Sequence, residues 1–373
     1  MKVFDELNPP ARLLLGPGPS PVHPRVMRAL GAPVLGHLDP ELLRLLDDTR
    51  GLLRDAFRTA NELTLAASGT GMAGMEAVLG SLLEPGDRLV VCAAGFFGQR
   101  MAELATRMGV EVTKVEKEWG EVFTPEEVET AVAAAKPKAV AIVHAETSTG
   151  ALQPMGGLGA IARRHDALLI VDCVTSLGGV PVLLDEWGAD AAYSGSQKCL
   201  GCPSGLAPLT ASPRAREVMA ARSRPAHSWY LDLDLLERYW GGAHAYHHTI
   251  SSSLVYALRE GLRLVAEEGL EARWERHRTN AEMLWDGLEA MGLALHVPDP
   301  ALRVPSLTTV RVPEGVDEAQ VRGRLRDEYG IEIGAGLGPL KGQVWRIGLM
   351  GHGSQKANVI LLLAALVDLL KRP

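Results

Sequence analysis

The chain has 373 residues, of which 47% are hydrophobic, and it carries a formal net charge of -7. This length allows two domains with sizeable cores, since domains usually contain about 100–200 residues. The negative charge and the lack of basic runs with interleaved aromatic residues argue against binding along a nucleic-acid backbone. The composition therefore excludes nucleic acid as an expected partner.

The sequence predicts a cytoplasmic protein without a membrane segment. The start, MKVFDELNPP, has no apolar stretch flanked by basic residues, as a signal peptide would. The longest apolar stretch near the C-terminus, VILLLAALVDLL, is interrupted by Asp368 and is far shorter than the roughly 20 residues that span a bilayer. Four cysteines are too few for a disulfide scaffold, which favours a reducing compartment.

The middle of the chain alternates short apolar runs with helical patterns. Upstream of it, a helix is expected over 39–57, with Asp39 as its cap and Pro40 at its first position. Strands are expected at 63–68, 88–93, 110–115, 139–144, 167–172, 190–195 and 206–211, with helices between most of them at 71–83, 100–109, 124–136 and 158–165. Near-continuous apolar strands separated by helices predict an α/β fold with a mostly parallel sheet covered on both faces.

The pattern changes after about residue 265. Helices are expected over 273–292 and 318–330, strands over 307–312 and 344–349, and a last helix at the C-terminus, which is typical of a smaller α+β unit. We therefore divide the chain into an N-terminal arm (1–10), a large domain (11–265) and a small C-terminal domain (266–373).

A glycine-rich turn, SGTGMAG, follows the first of these apolar strands. Its Gly69, Gly71 and Gly74 match the G-x-G-x-x-G pattern of dinucleotide-binding folds. Such a fold also needs an acidic residue at the end of the second strand, whereas RLVVCA is followed by AGFFG. A nicotinamide dehydrogenase is therefore disfavoured. Exposed backbone N–H groups at the start of a helix would suit a small phosphate, and an ordinary tight turn is the alternative.

An acid and a lysine follow two of the predicted parallel strands. Asp172 ends the strand ALLIVD, and Lys198 lies in the turn YSGSQKCLGCPSG. Both should reach the carboxyl edge of the sheet, where such folds bind ligands. Together with the glycine turn they suggest pyridoxal 5'-phosphate, whose aldehyde forms a Schiff base with a lysine and whose ring nitrogen pairs with a carboxylate. Taken alone, Asp172 could equally cap a helix or form an ion pair.

Two patterns suggest metal or redox chemistry. Cys199 and Cys202 have the spacing of a zinc half-site or a redox pair, but Cys92 and Cys173 are isolated and supply no second pair. A redox pair would also be expected to open a helix in a much smaller domain. Packing beside the lysine turn is the favoured role of the two thiols. The histidines of HAYHH (244–248) lack an acid or cysteine to complete a metal site, so no metal is predicted.

Seven stretches of the chain together resemble the class V pyridoxal-phosphate aminotransferases. They are LLLGPGPSPVHPRVM, SGTGMAGMEAVL, HAETSTGALQP, VDCVTSLGG, YSGSQKCLGCPSG, YHHT and GLGPLKGQVWRIGLMG, and they run from about residue 11 to the last helix. The resemblance implies a fold-type I homodimer with shared active sites, a seven-stranded sheet in the large domain and a smaller C-terminal domain. It also implies ping-pong transfer of an amino group from alanine or serine to glyoxylate or another small 2-oxo acid.

The resemblance assigns roles to individual positions. Lys198 is similar to the Schiff-base lysine that moves a proton between substrate and cofactor, Asp172 to the partner of the ring nitrogen, and Arg346 to the clamp for the substrate carboxylate. The other implied cofactor contacts are Thr70, Gly71, Met72 and Gln197 at the phosphate turn, Phe97 and Val174 on the two ring faces, Thr147 at the ring hydroxyl, and Tyr246 and Thr249 reaching the phosphate of the other subunit. Phe97 as plain core and Arg346 as a structural ion pair are the alternatives.

Three departures from the family pattern leave the donor and acceptor open. Relatives often have His, Trp and Ser where this chain has Met72, Phe97 and Thr147. Serine–glyoxylate, serine–pyruvate and 2-aminoethylphosphonate-type transamination are alternatives, as is a non-catalytic module on the same fold. A cysteine desulfurase is disfavoured, because its nucleophile lies far downstream of the lysine and no cysteine follows Cys202.

Overall fold

The computed structural model describes residues 5–371. The predicted arm, 1–10, thus lies partly outside the described residues. The strands are β1 (Leu13–Leu14), β2 (Leu63–Ser68), β3 (Arg88–Ala93), β4 (Glu111–Glu116), β5 (Ala139–Val143), β6 (Ala145–Glu146), β7 (Ala151–Leu152), β8 (Leu168–Asp172), β9 (Ala191–Tyr193), β10 (Leu206–Ala211), β11 (Leu307–Arg311), β12 (Ile331–Glu332), β13 (Gly334–Ala335) and β14 (Val344–Gly348).

The helices alternate with the strands in the first half of the chain and dominate the second. They are α1 (Pro24–Leu30), α2 (Pro40–Phe57), α3 (Gly71–Leu82), α4 (Phe96–Arg107), α5 (Pro125–Ala135), α6 (Leu158–Arg164), α7 (Leu184–Trp187), α8 (Pro213–Ala220), α9 (Leu233–Trp240), α10 (Ser252–Glu268), α11 (Leu270–Ala290), α12 (Glu318–Tyr329) and α13 (Lys356–Lys371). Within residues 5–371, no helix combines the length and the apolarity needed to cross a bilayer.

A seven-stranded sheet forms the centre of the molecule, in the order β2-β10-β9-β8-β5-β3-β4. Only β10 runs antiparallel to its neighbours, so the sheet is mostly parallel. The runs in β5 and β8 are buried at every position, as expected for strands covered on both faces. The predicted α/β fold and all seven predicted strands are confirmed.

The ends of several helices follow from local sequence. The Asp39 side chain accepts a hydrogen bond from the Glu41 N–H at 2.8 Å, and Pro40 occupies the first position of α2. This confirms the predicted helix start. Thr124 and Glu127 form a reciprocal capping box at the start of α5. These caps fix where the covering helices begin and so where the loops at the sheet edge can lie.

A three-stranded antiparallel sheet, β11-β14-β13, forms the C-terminal unit together with α11, α12 and α13. Its core contains Leu284, Trp345 and Leu366. Strand β1 pairs in parallel with β12, and Leu15 belongs to the same core. The segment that precedes α1 therefore packs on the C-terminal unit, close to β14, which carries Arg346. The boundaries drawn at residues 11 and 265 stay a prediction.

Candidate active site

Asp172 lies at the carboxyl end of β8, in the middle of the seven-stranded sheet, and is 3% exposed. Its Oδ1 accepts the Val174 N–H at 2.8 Å, and its Oδ2 accepts the Tyr193 hydroxyl at 2.9 Å. Burial raises the pKa of the Asp172 carboxyl to about 7. Within residues 5–371 the carboxylate forms no ion pair and caps no helix. Its position fits a partner for a cationic ligand group.

Lys198 lies in the turn after the neighbouring strand β9 and is 8% exposed. Its backbone carbonyl accepts the Ser20 hydroxyl at 2.8 Å and the Gly201 N–H at 2.9 Å, which fixes the turn. Its Nζ donates to the Pro17 carbonyl. No carboxylate of the described residues forms an ion pair with it, and burial lowers the pKa of the Lys198 amine to about 8. A buried amine with a lowered pKa is a nucleophile near neutral pH.

The lowered pKa predicts how cofactor capture depends on pH. Only the neutral amine attacks an aldehyde, so the rate of pyridoxal-phosphate capture by the cofactor-free protein should rise about tenfold per pH unit well below pH 8. It should level off above that pH. Stopped-flow recording of the visible cofactor band measures this rate. A midpoint near the ordinary lysine value of 10.5 would contradict the assigned environment.

The approach to Lys198 depends on Gly18. A Cβ at this position would lie 2.7 Å from Cδ and 2.8 Å from Nζ of Lys198, and the backbone φ is +104°. Any side chain here is therefore strained and also overlaps the lysine. Glycine is required because the strap of residues 16–20 crosses directly over the amine.

We expect Gly18→Ala to lower the free energy of unfolding by about 1–3 kcal/mol and to slow cofactor capture at least about tenfold. Gly31→Ala is the matched control, because Gly31 has a φ of -89° and its added methyl would have no neighbour closer than 3.7 Å. Denaturant titration and capture kinetics check both variants. Equal capture rates in the two variants would show that Gly18 does not shape the lysine environment.

The glycine turn places the start of α3 directly against the Asp172 turn. A Cβ on Gly71 would lie 3.0 Å from a methyl group of Val174 and 3.6 Å from the Ser194 carbonyl. A Cβ on Gly74 would lie 3.0 Å from the Cβ of Tyr193. These two glycines let the helix N-terminus approach β8 and β9 closely. The glycine pattern therefore serves close packing of the helix at the sheet edge.

Polar groups at this turn lack hydrogen-bond partners among residues 5–371. Thr70 precedes α3 without a side-chain cap, and the first N–H groups of a helix have no acceptor inside it. The side-chain oxygen of Gln197 is buried without a partner among the described residues. Met72, which follows Gly71 in the first turn of α3, is half-buried. Free donors at a helix N-terminus suit a phosphate.

Arg346 comes to the site from β14 and is 7% exposed. Its Nε donates to the Ala335 carbonyl at 2.6 Å and its Nη1 to the Thr147 carbonyl at 3.2 Å. No carboxylate of the described residues pairs with it, so the structure does not support a structural ion pair. Burial lowers the pKa of the guanidinium to about 10. A buried cation held by neutral carbonyls leaves room for a bound anion.

Thr147 lies on the loop after β6, and Phe97 lies in the first turn of α4. The Thr147 hydroxyl is hydrogen-bonded to the Thr175 hydroxyl, which ties its loop to the turn after Asp172. Phe97 is half-buried in the first turn of α4, and its N–H donates to Glu146 at 3.1 Å. Glu146 was not among the residues predicted from the sequence, because in the run AETSTG it is one of several neighbouring polar residues and no pattern distinguishes it.

Tyr246 and Thr249 are exposed and are not brought to Lys198 within one chain. Tyr246 is 60% exposed, and its ring lies 5.0 Å from that of His37. The histidines between them are anchored: His248 is hydrogen-bonded at 2.8 Å to the Ser68 hydroxyl, next to the glycine turn, and at 2.8 Å to His247. The loop thus presents Tyr246 and Thr249 outward.

All four cysteines are buried free thiols. A Cβ on Gly179 would lie 2.6 Å from Sγ of Cys199, and one on Gly261 would overlap Sγ of Cys202. Both thiols therefore pack tightly behind the lysine turn. Among residues 5–371, no group of three or more possible ligands could hold a metal ion.

Pyridoxal phosphate fits this donor set. The N–H groups at the start of α3 and the glycine cradle around them suit its phosphate, and the buried Asp172 suits its ring nitrogen. The Lys198 amine, which forms no ion pair with a carboxylate of residues 5–371, suits its aldehyde. These groups come from three separate parts of the chain, and β8, β9 and α3 bring them to one sheet edge.

The chain belongs to the class V aminotransferases. The model of that family, Aminotransferase class-V, matches residues 23–348. The protein is therefore a pyridoxal-phosphate-dependent transaminase, which confirms the family, the enzyme class and the cofactor that the sequence predicted.

Particular relatives cover nearly the whole chain. It is 44% identical to the (S)-ureidoglycine–glyoxylate transaminase of Bacillus subtilis (strain 168), over 98% of this chain and 92% of the relative. It is also 44% identical to the alanine–glyoxylate aminotransferase of Callithrix jacchus, over 98% of this chain and 89% of that relative. Its structure is similar to that of the alanine–glyoxylate aminotransferase of Nostoc sp., with a TM-score of 0.97, 51% identity, and coverage of 99% of this chain and 98% of that one.

Proposed function

We propose that the protein transfers an amino group from alanine or serine to glyoxylate or another small 2-oxo acid by a ping-pong mechanism. The main support for this proposal is the buried guanidinium of Arg346, which lies at the sheet edge of Lys198 and Asp172 and forms no ion pair with a carboxylate of residues 5–371. Glyoxylate is favoured because the similar Bacillus and Callithrix enzymes are both named for it. The Bacillus relative makes (S)-ureidoglycine a second candidate donor.

Each residue has a definite task in this proposal. When bound, pyridoxal phosphate supplies an electron sink for the electrons released at the substrate Cα. Lys198 removes a proton from the donor Cα in the first half-reaction and delivers a proton to the acceptor Cα in the second, and Asp172 would hold the proton on the ring nitrogen. Arg346 binds the α-carboxylate that donor and acceptor share. One site therefore serves both half-reactions.

The remaining contacts support cofactor binding. Thr70, Gly71 and Gln197 would hold the phosphate with Met72 beside them, and Thr147 would bond the ring hydroxyl. Phe97 and Val174 would enclose the ring. The half-buried state of these two apolar side chains supports that role, since each has a face left to cover.

A homodimer would complete the site. Tyr246 and Thr249 would reach the phosphate of the partner subunit, and the exposure of Tyr246, Trp229 and Tyr230 supports a covered surface there. Sedimentation of the wild-type protein tests the dimer. The four reduced cysteines support a cytoplasmic location.

A donor screen tests the proposed reaction. Alanine, serine, (S)-ureidoglycine and 2-aminoethylphosphonate are each mixed with glyoxylate and the loaded protein, and glycine is measured. We expect glycine from alanine or serine. Glycine from 2-aminoethylphosphonate alone would overturn the assignment, because that donor has no carboxylate for Arg346. No glycine from any donor, in a protein that binds no cofactor, would favour a non-catalytic module.

A further inference from the structure

Glu146 is a buried carboxylate for which the proposed reaction has no task. It is 6% exposed. Its Oε1 accepts the Ser148 N–H at 3.0 Å and the Ser148 hydroxyl at 2.7 Å, and its Oε2 accepts the N–H groups of Phe97 at 3.1 Å and Gly98 at 3.3 Å. Four donors around one carboxylate offset the cost of burying its charge.

The carboxylate caps α4 from a distant part of the chain. The residue that precedes α4, Gly95, offers no side-chain cap. The Phe96 N–H instead donates to the Ser148 hydroxyl at 3.0 Å, so Glu146 and Ser148 together satisfy three N–H groups of the first turn. A side chain on Gly95 would overlap Glu146. The first turn of α4 is therefore set by the 146–148 loop.

The same loop also leads to Arg346. The backbone carbonyl of Thr147, the next residue, accepts a hydrogen bond from Nη1 of Arg346 at 3.2 Å. The Glu146 carboxylate favours the charged form of Arg346 without an ion pair between them, because its negative charge lies nearby. Burial raises the pKa of Glu146, while its donors oppose this. The Glu146 side chain thus connects the first turn of α4, which carries Phe97, with the loop that holds the Arg346 guanidinium.

We propose that Glu146 is a positioning residue: it fixes the Phe97 ring and the Thr147 loop relative to Arg346, and so sets the orientation of the bound cofactor ring. This inference rests on the proposed cofactor site. The geometry predicts that loss of its charge disturbs the cofactor more than it disturbs the fold.

The test compares Glu146→Gln with Glu127→Gln. Glu127 also accepts a backbone N–H at a helix start, from Thr124 at 2.8 Å, but it belongs to α5 and pairs with Lys117 outside the site. Each change removes one negative charge at a helix N-terminus and keeps the side-chain shape. The readouts are the dissociation constant of pyridoxal phosphate, the visible circular dichroism per bound cofactor, and the melting temperature without cofactor.

We expect Glu146→Gln to raise the cofactor dissociation constant at least about tenfold and to change the visible dichroism, since an amide nitrogen cannot accept the N–H groups of α4. Glu127→Gln should keep both within about twofold of wild type at a similar melting temperature. If Glu146→Gln does not fold, Ser148→Ala removes the second cap and should shift the same readouts in the same direction.

Wild-type affinity and dichroism in a folded Glu146→Gln protein, or in Ser148→Ala where the first variant does not fold, would overturn the inference and leave Glu146 a purely structural residue. The proposed function fails in a different way. A wild-type protein that binds cofactor but transfers no amino group would refute the reaction without affecting this comparison.

Discussion

Lys198→Ala should abolish turnover and the visible cofactor band, with a loss in kcat of about 10⁴-fold or more. In the proposed function this amine joins the cofactor aldehyde and also moves the proton at the substrate Cα. Both tasks depend on a buried amine with a lowered pKa at the sheet edge, and Lys198 has that environment. Steady-state glycine formation and the absorbance spectrum of the purified variant measure the effect.

Lys138→Ala is the control. Lys138 pairs with Asp87 at 2.6 Å, outside the site, so its loss should leave turnover and spectrum unchanged. Borohydride should attach the cofactor to residue 198 in this control and in wild type. Attachment at another lysine would contradict the assignment of Lys198.

Arg346→Gln should lower kcat/KM for alanine by about 10²–10³-fold, because hydrogen bonds to a charged group each contribute about 1.5–3 kcal/mol. Donor and acceptor should be affected alike, since both present a carboxylate. Cofactor affinity should change little. Separate single-turnover measurements with alanine and with glyoxylate resolve the two half-reactions.

Arg311→Gln provides the matched control on the adjacent strand. Arg311 lies in β11, opposite Val344, and its side chain is exposed. Its loss should leave kcat/KM within about twofold. If Arg346→Gln lowered the single-turnover rate of only one half-reaction, Arg346 would not hold the carboxylate that both substrates share.

The sequence predicted those side chains whose position follows from the order of strands and turns along the chain. Asp172 and Lys198 each follow an apolar strand, and parallel strands bring their carboxyl ends to one edge. The glycine turn could be recognised because it directly follows an apolar strand and precedes a helix. Periodicity did not predict α8, α9 or α10, and the two-residue strands β1 and β12 are too short for any pattern.

What the sequence could not predict depends on contacts between distant residues. The Pro17 carbonyl and the Lys198 amine are hydrogen-bonded although they lie 181 positions apart in the sequence. Glu146 and the Phe97 N–H are hydrogen-bonded over a separation of 49 positions. Neither residue belongs to a local pattern, since any backbone carbonyl or loop carboxylate could occupy such a place. The burial that shifts the pKa values of Asp172 and Lys198 likewise depends on the assembled fold.

The most direct test of the account is one half-reaction followed by the other in the same sample. Alanine added to the cofactor-loaded protein, without acceptor, should remove the visible band and release one pyruvate per site. Glyoxylate should then restore the band and yield one glycine. A band that persists under alanine, serine and (S)-ureidoglycine alike, with no keto acid released, would contradict the proposed amino-group transfer.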